Sequence, residues 1–170
     1  MKSSDINAEI DSADVTERLV GITPDYLNNF VQRGTFGLKA SIRAGEVRAR
    51  RRLFSHDDVY GAALVWLLFE AGFRTDPIIR ILKDIVGAKQ QATANLAARK
   101  LRDAGVLYLV IVRNARGPSK KIPEMPEQTI LLRGESDLRA TISENLTGCL
   151  GIIPVGSKFQ DIARRMEILF

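Results

Sequence analysis

Four arginines fall within positions 48–52 of the segment RARRRLFSHDDV. Lys39, Arg43, Arg48, Arg50, Arg51 and Arg52, set against Glu46, give this stretch an excess of +5, equal to the net charge of the whole 170-residue chain. The positive charge is therefore local. A projecting loop of arginines can neutralise phosphates and release their counterions, which gives affinity with a steep salt dependence but little sequence information. Sequence information has to come from side chains that can meet base edges. The candidates are Asp25, Tyr26, Asn28 and Asn29: an asparagine can pair bidentately with adenine, and a tyrosine can meet a phosphate or a thymine methyl.

Other chemistry is poorly provided for. The chain holds one cysteine, Cys149, and one histidine, His56, so neither a structural zinc site nor a disulfide can be assembled within one chain. Cys149 lies in the apolar run CLGIIPV and reads as a buried small hydrophobe, and His56 reads as a surface residue in a helix's first turn. No glycine-rich phosphate loop, Ser–His–Asp set or helically spaced carboxylate pair is present. An enzyme is the least supported class, and no cofactor or metal is expected. No run reaches the roughly 18 apolar residues of a membrane span, and MKSSDINAEIDSAD is polar and acidic, unlike a signal peptide. The expectation is a cytoplasmic protein without a membrane partner.

The elements that would position the candidates can be read from caps and periodicity. Asp14 to Val20 predicts a short helix ended by Gly21; Thr23 caps a second, with Pro24 at its first position and Leu27, Phe30 and Val31 inward until Gly34. Two short helices separated by GIT have helix-turn-helix spacing. Ser41–Arg43 and Val47–Ala49 are expected as strand pieces of a hairpin, or wing. Ser55 caps a third helix, with Asp58 able to reach back to the cap; Val59, Ala63, Trp66 and Leu67 recur along it at helical spacing, and Trp66 is expected in the core. A fourth helix opens at Thr75-Asp76-Pro77, and AKQQATANLAARKLRDAG is expected to continue helically to Gly105.

Further on, Val106 to Val112 (VLYLVIV) predicts a strand covered on both faces. A proline-bearing linker, Asn114 to Gln128, separates it from a strand near Thr129 to Leu132. A helix from Ser136 follows, using Leu138, Ile142 and Leu146, then the strand LGIIPV. A last helix is expected to open at Ser157 with Gln160 completing a capping box. The order β-β-α-β-α describes a small module.

Three pieces carry a family likeness: Leu27 to Gly34 (LNNFVQRG) after the turn, Arg52 to Val59 (RLFSHDDV) at the wing exit, and Glu70-Ala-Gly-Phe73 followed by Ile78 to Leu82. In their order and spacing the stretch from Asp14 to about Ile85 resembles the DNA-binding domain of the MerR family of regulators. That resemblance implies a winged helix-turn-helix binding double-stranded DNA as a homodimer, with RNA polymerase as a further partner. Arg52 falls on the family's wing arginine, Phe54 on its aromatic partner, and Arg33 and Gly34 on the basic residue and glycine that end the recognition helix. Asn28 stands where the family commonly has an arginine, and Asp25 brings a negative charge near the groove.

The expected fold class is α+β: a mainly helical, MerR-like winged helix-turn-helix followed by a small mixed α/β module. The expected domains are residues 1–86 for DNA binding, 87–105 as a connecting helix, and 106–170 for dimerisation or sensing. The expected DNA-binding residues are Thr23, Asp25, Tyr26, Asn28, Asn29, Arg33, Lys39, Arg43, Arg48, Arg50, Arg51 and Arg52. The expected function is transcriptional regulation. Two alternatives are an excisionase-like architectural DNA-binding protein and a winged-helix module that contacts protein instead of DNA.

Overall fold

The computed structural model describes residues 10–11, 13–39, 41–42, 52–87, 91, 93–112, 128–144 and 149–169. Within them the chain is α+β, with seven helices and two three-stranded antiparallel sheets.

The strand β1 (Ile10–Asp11) leads into a helix of wide, i→i+5 winding at Asp14–Val20, which buries Val15, Leu19 and Val20. After the turn comes α1 (Pro24–Arg33), burying Leu27 and Phe30 and stopping at Gly34, whose φ of 59° is left-handed and costs a side-chain-bearing residue energy. The strands β2 (Ser41–Ile42) and β3 (Arg52–Phe54) pair antiparallel, and β3 also pairs with β1, giving the order β1-β3-β2. One detail goes beyond the sequence expectation, and one expected piece lies outside the described residues. The return strand of the hairpin is Arg52–Phe54, while Val47–Ala49 lies outside the described residues. The strand β1 was not foreseen, because two residues show no period; burial of Ile10 beside Phe54 fixes it.

Ser55 begins α2 (His56–Glu70) as the sequence suggests: its oxygen accepts from the Asp58 N–H at 3.2 Å, and its hydroxyl donates to the Asp58 carboxylate at 2.6 Å. After α3 (Thr75–Val86), Gly87, Gln91 and Thr93 are not helical, against the expected continuous helix. The next helix, α4 (Ala94–Asp103), starts at Thr93, whose side chain accepts from the Leu96 N–H. Its start is also fixed from outside, since the Ala94 N–H donates to the Phe36 carbonyl at 2.8 Å. Gly61 lets α4 lie directly on α2: a Cβ there would come within 2.7 Å of the Asn95 nitrogen. Lys100 of α4 donates to the Val86 carbonyl at 2.5 Å and so satisfies an end group of α3.

The second half runs β4 (Tyr108–Val112), β5 (Gln128–Leu132), α5 (Glu135–Glu144), β6 (Cys149–Ile153) and α6 (Val155–Leu169), the expected β-β-α-β-α order. β4 is central, between β5 and β6. Its side chains alternate: Leu109 and Ile111 join the main core, while Val110 and Val112 form a second cluster with Leu132 that Leu138 of α5 covers. The side chain of Cys149 and residue Leu146 lie outside the described residues. The last helix starts at Val155, not Ser157. Ser157 sits in its first turn and donates back to the Pro154 carbonyl at 3.0 Å, so the expected capping box is absent.

One apolar cluster runs from Ile10 to Met166 and includes residues of both halves. Polar bonds reinforce the join. Lys158 and Arg165 of α6 donate to the carbonyls of Val20 and Arg18, both at 2.8 Å, where the end of the first helix would otherwise leave acceptors unmet. Among the described residues, no helix is long and apolar enough to cross a membrane.

Candidate nucleic-acid interface

The outward surface of α1 follows from what it buries. With Leu27 and Phe30 turned to the core, the 3.6-residue period leaves Asp25, Asn29 and Arg33 in an i, i+4, i+8 line on the exposed side. Gln32, exposed beside that line, was not singled out; its place three residues after Asn29 was the available signal.

Asn28 is exposed but turns to one flank, where it lines an indentation of about 180 Å³ with Thr16, Glu17 and Pro24. Tyr26 turns to the other. Its ring centre lies 5.3 Å from that of Trp66 and 6.2 Å from that of Phe69, both on α2, and the residue keeps 47% of its surface exposed. Tyr26 thus closes an aromatic group that continues through Phe30, stacked on Phe69 at 5.3 Å, to Phe36. Trp66, expected in the core, is only partly buried and takes the inner side of this contact.

Thr23 has the extended backbone of a cap, yet its side chain makes no capping bond; its carbonyl accepts from the Leu27 N–H at 3.1 Å. Thr23, like Asp25, is exposed. His56 departs from expectation as well: it is partly buried, and its Nε2 is shielded from solvent without a hydrogen-bond partner among the described residues.

Of the basic candidates, Arg33 and Lys39 are described and exposed. The Arg52 backbone lies on β3, opposite Ile42, while its side chain falls outside the described residues, as do Arg43, Arg48, Arg50 and Arg51 altogether. What the structure does give is the anchoring of that segment. The Ile42↔Arg52 register holds the two ends of 43–51 as neighbours, and Phe54, part of the core cluster, fixes the outgoing strand, with Leu53 buried beside it. Neighbours of α1 are otherwise occupied: Arg18 pairs with Asp14 at 3.2 Å, an i, i+4 ion pair on the preceding helix.

No protein-family model matches the chain, and no curated protein does. The described residues hold no group of three or more His, Cys, Asp or Glu side chains that could bind a metal. What the arrangement can do chemically is therefore argued from its own geometry: a polar helix face with little net charge, and a pair of strands that anchor a strongly basic segment.

Proposed function

We propose that the chain is a MerR-like, winged helix-turn-helix regulator of transcription that binds double-stranded DNA as a homodimer. In this reading α1 enters the major groove and the basic segment 43–52 lies on flanking phosphates. The observation that carries it is the antiparallel β2–β3 pair, which holds together the ends of residues 43–51, a stretch with four arginines and one glutamate, in a chain where two short helices with a three-residue turn precede it. Phosphate contacts would supply affinity and orientation, and base-edge contacts from Asn29, with Gln32 and Asn28 beside it, would supply discrimination. Arg33 and Lys39, at the end of α1 and before β2, extend the positive surface toward the backbone.

Selection of bound duplexes from a random library with purified protein tests the reading. A consensus of two symmetric half-sites is expected, with Asn29→Ala relaxing selection at one position of each by about 1–3 kcal/mol. Recovery of unselected sequence alone would remove base readout by α1 from the account.

A second reading, protein contact by the same face, has one observation in its favour. Tyr26 presents a half-exposed ring backed by Trp66, next to the acid Asp25, and such an amphipathic aromatic suits a protein partner as well as a groove.

A further inference from the structure

We propose that the pocket between α2, α4, the start of β4 and α6 is a binding site for a small planar carboxylic acid about one ring in size. This site lies away from α1 and stands whether or not the chain binds DNA.

Volume sets the size of the ligand. The pocket encloses about 250 Å³. Pockets for drug-sized molecules run from roughly 300 to 1,000 Å³, while an apolar cavity of about 150 Å³ accepts benzene. A single ring with a short acidic group fits between these limits.

The lining sets its character. Leu101, Val106 and Phe159 are buried and give an apolar floor, with the Tyr60 ring edge-on to Phe159 at 5.4 Å. Polar groups gather at the rim, where Gln160 is exposed and Arg102 is partly so. The Arg102 guanidinium carbon sits 4.1 Å from the centre of the Tyr60 ring, which holds the fork against the wall. A guanidinium held this way can present two parallel N–H donors to a carboxylate, a geometry an ammonium cannot reproduce.

Arg102 already has a partner, and the arrangement makes that partner replaceable. Its Nη1 is 3.3 Å from one Asp57 oxygen, while Arg99 reaches the other at 3.7 Å. If Arg102 turns its fork to a ligand carboxylate, Asp57 keeps Arg99. Burial raises the Tyr60 hydroxyl above its ordinary range, with the Arg102 charge pulling the other way, so the phenol stays neutral at physiological pH and can donate a hydrogen bond. Asp57 and Glu167 push in the same direction as burial; their charges disfavour a ligand with a second negative group. The floor residues come from both halves of the chain, so an occupant would touch α4 and α6 at once.

The test is an NMR titration of the full chain with benzoate, and in parallel with benzyl alcohol, which has the same ring and no charge. Two variants accompany it: Arg102→Gln, which removes the fork, and Ala163→Leu, which extends a side chain into the pocket; the dispersion of each spectrum reports that the variant is folded. Saturable shifts centred on the pocket are expected for benzoate, with a Kd on the order of a millimolar and benzyl alcohol about tenfold weaker or worse. Arg102→Gln should bring benzoate down to the alcohol's level, and Ala163→Leu should weaken both. Absence of saturable benzoate binding in the tens of millimolar, equal binding of acid and alcohol, or binding undiminished in both variants would overturn the proposal.

Discussion

The sheet β1-β3-β2 is made of strands of two and three residues, whereas every strand of β5-β4-β6 has five. Both are antiparallel, and both have three strands. Strands as short as those of the first sheet do not hold themselves together. They depend on Ile10 and Phe54 reaching the core. What the first sheet accomplishes is positional: it brings Ile42 and Arg52 face to face, at either end of the basic segment. The second sheet is a wall. β4 is buried along Leu109–Val112 and feeds one cluster on each face. The difference teaches a division of labour: the short sheet holds the two ends of the arginine-rich segment 43–51 together, while the longer one supports the core.

That contrast can be broken by substitution. The largest effect is expected in the wall, where Ile111→Ala should cost about 2–5 kcal/mol in urea unfolding, because the side chain is fully enclosed. Leu53→Ala on the short sheet should cost clearly less, since its strand has three residues and lies nearer the surface; equal losses would show that the two sheets bear the fold alike. Next comes the contact that ties α4 to α2. Gly61→Ala forces a methyl to 2.7 Å from the Asn95 nitrogen, and a loss of about 1–3 kcal/mol is expected from this overpacking. Ser55→Ala, which removes the cap joining the short sheet to α2, should cost about 1 kcal/mol by the same measurement.

The smallest effect concerns Arg102. Its pair with Asp57 is about a third exposed on each side, so Arg102→Gln should change stability by no more than about 1 kcal/mol near neutrality. Its signature is instead in alkali. Tyr60 has a folded pKa raised by burial, so its contribution is complete below the unfolded value of about 10 and is lost as pH rises through the folded one. Arg102 lowers that folded pKa, so the variant should titrate Tyr60 later, which phenolate absorbance would record; an earlier titration would contradict the placement of the guanidinium over the ring.

Local signals carried much of this fold into view from sequence. The helix Asp14–Val20, α1 from Pro24 to the turn at Gly34, and the Ser55 start of α2 all rest on residues that act on their own neighbours: a proline at the first position, a hydroxyl cap, a glycine with left-handed backbone. The errors occurred where distant residues decide. QQATANLAARK reads as helical throughout, but α4 starts at Thr93 because the Phe36 carbonyl takes the Ala94 N–H and Gly61 receives the turn that follows. Ser157 resembles a cap, yet α6 begins earlier, with Val155 and Gly156 buried and the Gly156 N–H bonded to the Leu107 carbonyl at 3.0 Å. In the candidate interface, the outward line Asp25, Asn29 and Arg33 was legible from period. The turning of Tyr26 onto Trp66 was not, because it depends on how α2 crosses α1.

The central claim is that the segment anchored by β2 and β3 grips a polyanionic duplex. The direct measurement is the affinity of the full chain for duplex DNA across a series of salt concentrations, repeated with Arg50, Arg51 and Arg52 all replaced by alanine. The account predicts a steep loss of affinity with salt and, in the variant, a slope shallower by about 2–3 units of log K per log salt, at nearly unchanged stability. An affinity indifferent to salt, or a slope the same in both proteins, would contradict it.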